Sequence, residues 1–150
     1  MVNIVEPVTP FEALDLLPHP LVIVTAGDPK KPGRRGGMVA AWVSRVSWDP
    51  PLVAVSVAPE RNTYSLIKEF KAFAVNVVTK MYLGVTLDVF GSLSGRDVDK
   101  FAKAGIEPAE AKNVVAPIIP NAYAVLVCKL VSEFPVGDHI VVVGEVVEAY

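Results

Sequence analysis

The amino-acid sequence predicts a mainly β fold, an antiparallel Greek-key β-barrel carrying a few short helices. Three observations predict it. Six apolar runs rich in β-branched residues, at 21–25, 38–47, 52–57, 73–78, 122–131 and 139–148, have the length and composition of strands. The helical stretches between them are short and irregularly placed, without the regular βαβ alternation of a doubly wound sheet. Turn-forming residues, notably Asp49-Pro50-Pro51 and Gly137-Asp138, separate consecutive runs as hairpins would.

Taken in order, Thr9-Pro10-Phe11-Glu12 opens a helix. Threonine caps it, proline takes the first turn and glutamate stands three residues after the cap, the pattern of a capping box. The helix is expected to run to about Leu17, where Pro18-His19-Pro20 stops it. After the strand at 21–25, the stretch 27–37 is dense in glycine, proline and positive charge and reads as a loop. Residues 38–47 read as one strand, and 52–57 as the next. A helix is expected over about 63–70, then the strand at 73–78. Between Met81 and Gly105 the pattern turns helical, with a short helix over 97–104 that Gly105 ends. Residues 108–120 read as mostly irregular. The two long strands 122–131 and 139–148 form a hairpin across 134–138. No internal repeat, low-complexity tract or linker interrupts the chain, so residues 1–150 read as one domain.

Composition limits the function classes. Hydrophobic residues make up 52% of the chain and mean hydropathy is +0.44, yet no apolar stretch approaches the roughly 20 residues that span a bilayer. The surplus apolar surface points instead to a subunit interface, so an oligomer is expected. A net charge of −2 gives no basis for binding nucleic acid or an anionic membrane. Cys128 is the only cysteine, which excludes an internal disulfide, and it reads as a buried small hydrophobe. No charged segment followed by an apolar core marks a signal peptide, and a cytoplasmic location is expected by default.

The familiar catalytic motifs are missing. There is no Gly-x-Gly-x-x-Gly after a strand, no phosphate-binding loop of the Walker type, no nucleophile elbow and no His-Glu-x-x-His. Two histidines and one cysteine show no metal-ligand spacing, so no metal site is expected. A bound cofactor would have to carry any redox chemistry.

Four segments stand out. The first runs from Gly37-Met38-Val39-Ala40-Ala41-Trp42 through Ser44 and Ser47 to Asp49-Pro50-Pro51. The second is Arg61-Asn62-Thr63-Tyr64, leading to Phe73-Ala74-Val75-Asn76. The third is Ser94-Gly95-Arg96-Asp97-Val98-Asp99-Lys100-Phe101. The fourth is Gly137-Asp138-His139-Ile140, continuing to Gly144-Glu145-Val146. In this order, over nearly the whole chain, they resemble the flavin reductase-like family. The resemblance implies an FMN-binding split barrel, usually a homodimer, that binds FMN, or alternatively FAD, and uses NAD(P)H to reduce the flavin, or ferric iron or another acceptor through it. It also leaves open a flavoredoxin-like electron carrier that works with an acceptor protein and has little nicotinamide activity. Family members continue beyond the Gly-Glu-Val strand into a Pro-Leu-x-Tyr-like segment that closes the barrel. None follows here, so either the protein is short or its tail is missing.

The residues make chemical sense for such a ligand. Small Ala40 and Ala41 leave room for a flat ring to meet backbone, with amides near Ala41, Trp42, Val43 and Ser44 offered to its polar edge and Ser47 on the same strand. The alternative is an ordinary barrel strand filling the core. Arg61, just ahead of a helix start at Asn62-Thr63, suits a phosphate, because helix N-termini attract anions. Ser56 and Lys100 are expected at the same anion. The plainer reading makes Asn62 or Thr63 a cap and the charges solvated. By resemblance, His139 faces the ring pocket, positioning the electron donor or supplying a proton. Gly33-Arg34-Arg35-Gly36 reads as a mobile, solvated loop in preference to a site for an NADPH phosphate. Trp42 and Trp48 either flank the ring or pack a dimer seam. His19 receives no role.

Overall fold

A computed structural model of the chain describes residues 5–150, leaving aside the side chains of residues 83 and 85. Helix α1 (Pro10–Leu14) begins with the predicted capping box. Thr9 N–H and Oγ1 donate to Glu12 Oε2 at 2.8 and 3.1 Å, and Glu12 N–H donates back to Thr9 Oγ1 at 3.2 Å. The expected extension to Leu17 is not α-helical. Leu16 and Leu17 N–H reach only three residues back, to the Ala13 and Leu14 carbonyls, as the turn tightens before Pro18.

Nine strands follow: β1 (Val22–Gly27), β2 (Arg35–Ala40), β3 (Val43–Ser47), β4 (Leu52–Val57), β5 (Ala72–Val77), β6 (Ala109–Glu110), β7 (Pro117–Ile118), β8 (Ala124–Val136) and β9 (His139–Ala149). Three further helices are α2 (Asn62–Phe70), α3 (Lys80–Ser92) and α4 (Lys100–Ala104). Seven strands form one antiparallel sheet in the order β2-β1-β5-β8-β9-β4-β3, while β6 and β7 pair separately.

That order explains the shape. Strands β2 and β3 lie at opposite edges of the sheet, yet only Ala41 and Trp42 separate them in the chain. A flat sheet would hold its edges about 29 Å apart at the usual inter-strand spacing. Three Cα–Cα steps reach at most about 11 Å. The sheet must therefore curl until its edges meet, which makes it a split barrel. The reading of 38–47 as one strand is corrected here: the chain breaks at 41–42 because it changes edges.

Two other expectations change. Residues 35–37, read as loop, are strand, because β2 pairs with β1 from Arg35↔Gly27 to Ala40↔Val22. Only residues 28–34 form the connection. The hairpin between β8 and β9 is also tighter than expected. Val136 pairs with His139, so the turn is Gly137-Asp138 alone, with Gly137 in the left-handed conformation at φ 57°.

Side chains of the central strands alternate between two buried layers. Inside the barrel, Val24, Val55, Phe73, Val75, Cys128 and Val142 pack with Tyr64, Leu66 and Ile67 of α2. Burial pushes the Cys128 thiol up to about 12, in keeping with its reading as a small hydrophobe. On the outer face, Ile23 packs against Phe90 of α3 and Phe101 of α4, and Ala74 and Val127 pack against Ile118 of β7. No helix among the described residues is long and apolar enough to cross a membrane.

A buried polar network ties this outer layer to the sheet. Asn76 Nδ2 donates to the Ile23 carbonyl at 2.9 Å and to Thr25 Oγ1 at 3.0 Å, and its Oδ1 accepts from Ile119 N–H at 3.0 Å. Thr25 Oγ1 donates to the Pro117 carbonyl at 2.6 Å. Asn76 and Thr25 are fully buried, so a partner lost from this network cannot be replaced by bulk water. Asn76→Ala is expected to lower stability by about 2–4 kcal/mol in urea denaturation, as three buried groups each lose a partner. A loss below about 1 kcal/mol would show that the network does not hold the layer.

Candidate functional site

The corner that joins β2 to β3 opens a groove along one side of the barrel. Two hollows of about 170 and 320 Å³ adjoin there, with Met38 and Arg61 bordering both. The first is walled by Ala40, Ala41, Trp42, Ser56, Val57 and His139. The second is bordered by Asn62 and Thr63 at the start of α2, and by Ser94, Gly95, Arg96 and Lys100.

Backbone donors stand at both ends. Ala41 and Trp42 lie between strands, and among the described residues neither N–H donates to a backbone carbonyl. The corner is held from the other side, where Ser56 N–H donates to the Trp42 carbonyl at 3.0 Å. At the far end, Asn62 and Thr63 N–H likewise have no backbone acceptor, as expected for the first residues of a helix. Four backbone donors in two pairs thus sit on residues that border the groove.

Charge is concentrated at the α2 end, where Arg61, Arg96 and Lys100 gather. Arg96 Nη1 donates to the Glu60 carbonyl at 2.8 Å. Lys100 is only 4% exposed, and its Nζ donates to the Gly37 and Phe90 carbonyls at 2.7 and 2.9 Å. Burial, with Arg61 adding a smaller effect, pushes its ammonium down to about 8. Two of its three donors are thus committed to backbone, leaving one for the groove.

The opposite end is aromatic. The rings of Trp42 and His139 lie 4.8 Å apart, tilted by 45°. His139 Nδ1 sits 2.7 Å from Asp138 Oδ1, and this hydrogen bond holds the Asp138 carboxyl below its usual range. With Nδ1–H donating to the carboxylate, the neutral ring keeps Nε2 as acceptor.

Of the residues expected at a site, Ala41, Trp42, Ser56, Arg61, Asn62, Thr63, Lys100 and His139 meet in this groove. Val43, Ser44 and Ser47 do not border it. Beyond Trp42 the chain has crossed to the other sheet edge, where Val43 and Ser44 border an apolar hollow with Leu52, Leu126 and Val146 and a second hollow that shares Trp42 and Ser56 with the groove. Trp48 also stands apart, exposed, with Arg45 stacked over its ring at 3.8 Å. The reading of 33–36 as a solvated tip holds for exposed Gly33 and Arg34 but is corrected for Arg35 and Gly36, which are buried in β2. Arg35 is buried in an ion pair with Asp99, and Arg34 pairs with Glu69 and lies over Phe70. Neither arginine borders the groove. Sequence reading passed over Met38, Ser94 and Arg96. The signal for Ser94 and Arg96 lay in the Ser94-Gly95-Arg96 string, whose role depends on a fold contact with α2.

Comparison with known proteins gives this groove a context. The family model described as flavin reductase like domain matches residues 14–150. The ferric-chelate reductase (NAD(P)H) of Archaeoglobus fulgidus is 32% identical over 139 residues, 92% of this chain and 79% of that protein. Flavoredoxin of Desulfovibrio vulgaris (Miyazaki F) superposes with a TM-score of 0.79 at 29% identity, covering 89% of this chain and 69% of that one. The FMN-binding protein of Thermus thermophilus with bound 1-cyclohex-2-enone superposes with a TM-score of 0.80 at 26% identity, covering 100% and 79%. The chain spans 53% to 62% of the length of the first four curated relatives it matches.

The buried lysine carries a stability signature. Below pH 8, Lys100 holds its proton in both folded and unfolded chains. Between about 8 and the ordinary lysine value of 10.5, only the unfolded chain keeps it, so this group makes folding more favourable as pH rises through that window. Relative to Lys100→Met, the unmodified chain should gain stability from pH 8 to 10.5 in urea titrations. A difference that stays flat would show that the ammonium is not depressed.

Proposed function

The chain belongs to the flavin reductase-like family, and from that premise we propose that it is a flavin-dependent oxidoreductase that holds FMN in the groove and accepts electrons from NAD(P)H. The observation that carries this reading is the pairing of donors along one channel. Two free amides at Ala41-Trp42 suit the polar edge of a flat ring, and two at Asn62-Thr63, backed by Arg61, suit a phosphate. A bound flavin supplies the electron and hydride chemistry that these side chains lack.

The protein's own work is placement. Ala40 and Ala41 keep bulk off the ring wall, and Trp42 N–H and Ala41 N–H favour negative charge developing at the ring's polar edge. Arg61 and the start of α2 anchor the phosphate. Lys100 acts mainly by joining β2 to α3 at the groove floor, with one donor left for the anion. His139, oriented by Asp138, borders the ring end and either positions the nicotinamide or exchanges a proton there. Holding the reactants at near-attack distance is the largest contribution such a site can make.

A second copy completes the assembly. All five residues of α1 are exposed, with Phe11 at 77% and Leu14 at 55%, and Leu16 beyond it stands at 83%. Such an unpartnered apolar arm marks a contact surface. Sedimentation of the purified protein should give about 32 kDa, twice the 16.1 kDa chain. A mass near 16 kDa would rule out the homodimer.

The likeness to flavoredoxin supports a second reading, an FMN-bound electron carrier with little nicotinamide activity. Anaerobic addition of NADH and then NADPH to the FMN-loaded protein separates the two. Bleaching within seconds is expected for the reductase, whereas a flavin untouched by either donor but reduced by a partner protein would favour the carrier. Arg61→Ala should weaken FMN binding about 10- to 100-fold, the cost of one charge-assisted contact. His139→Ala should slow reduction and leave FMN affinity nearly unchanged. The reverse pattern would mean that the two ends of the groove have been assigned the wrong way round.

A further inference from the structure

We propose that Arg96 sets which flavin the groove accepts, by stopping its phosphate end so that a phosphate monoester fits and a dinucleotide does not. The inference rests on the flavin reading above and concerns how that same groove ends. Two ties bring the segment ahead of α4 against the start of α2. Arg96 Nη1 donates to the carbonyl of Glu60, two residues before the helix begins, at 2.8 Å. One residue earlier, Gly95 presses on Asn62 so closely that a Cβ there would lie 2.5 Å from Asn62 Nδ2. A side chain at 95 would push the Asn62 carboxamide aside. The segment therefore borders the same hollow as the free amides of Asn62 and Thr63, away from His139.

The chemistry of the two flavins differs at this point. FMN ends in a monoester phosphate with close to two negative charges and nothing beyond it. FAD carries two diester phosphates, each singly charged, and continues into an adenosine that has to leave the site. Arg61, Arg96 and the remaining donor of Lys100 surround the position of the first phosphate and favour the more highly charged monoester. A pyrophosphate would have to part Arg96 from Glu60 and lift Gly95 off Asn62. Arg96 is itself exposed, so it can be removed without opening the core.

Titration of the full chain with riboflavin, FMN and FAD, followed by quenching of flavin fluorescence, tests this. The unmodified protein should bind FMN at least about tenfold tighter than FAD. Arg96→Ala, shown to be folded by an unchanged melting temperature, should bring the two affinities to within about threefold of each other. That change should come chiefly from tighter FAD binding. Arg96→Lys, which restores a donor, should recover part of the preference. Equal affinity for FMN and FAD in the unmodified protein would overturn the inference while leaving the flavin reading intact. So would an Arg96→Ala variant that weakens both flavins by the same factor, since Arg96 would then be a plain phosphate ligand. Failure of all three flavins to bind the folded protein would overturn both.

Discussion

Ala41 and Trp42 carry the chain between the two edges of a seven-stranded sheet, and most of this molecule depends on that short link. The sheet has to curl because two residues cannot span a flat one. Curling turns one face of the strands inward as a core. At the link itself the backbone cannot join either ladder completely. One carbonyl, that of Trp42, is bound by Ser56, while among the described residues the amides of Ala41 and Trp42 have no backbone acceptors. Unpaired amides at a sheet edge are ordinarily a liability. Here they lie in a groove beside His139, where a polar-edged ligand can satisfy them.

The other end of the groove depends on a second constraint, the attachment of α4 to β2. Neighbouring residues of opposite charge make it. Asp99 accepts from Arg35 Nε and Nη2 at 3.2 and 2.9 Å and also caps α4, while Lys100 donates to the carbonyls of Gly37 and Phe90. Both charges are largely buried, and burying them is tolerable because their hydrogen-bonding capacity is nearly filled. This double clamp places Ser94-Gly95-Arg96 against α2. The α2 end of the groove is thus shaped by contacts between segments more than 30 residues apart in sequence.

Several elements were legible because their signals are local. The capping box at Thr9, the strands from Leu52 and Phe73, and the hairpin about Gly137 need only neighbouring residues to be recognised, and each is present. Arg61-Asn62-Thr63 was legible as a cation ahead of a helix start for the same reason, and α2 does begin at Asn62. Other readings failed where distant contacts decide. Arg35 is as polar as any loop residue, and only Asp99, 64 positions away, turns it into part of a buried strand. Residues 38–47 are continuously strand-like, and nothing local signals that the strand breaks to change edges.

The sequence by itself determined the fold class, the helix start at Asn62 and the family, because periodicity, capping and the ordered motif strings are written in adjacent residues. Only the tertiary structure decided which of the motif residues meet. It left Val43, Ser44 and Ser47 out of the groove's own lining, brought in Met38 and Arg96, and gave Lys100 to the backbone of β2 and α3. The physical reason is common to all of these. Side-chain direction past the corner at Ala41-Trp42, and the partners of each buried charge, are set by sheet closure and by contacts distant in sequence, which no local pattern encodes.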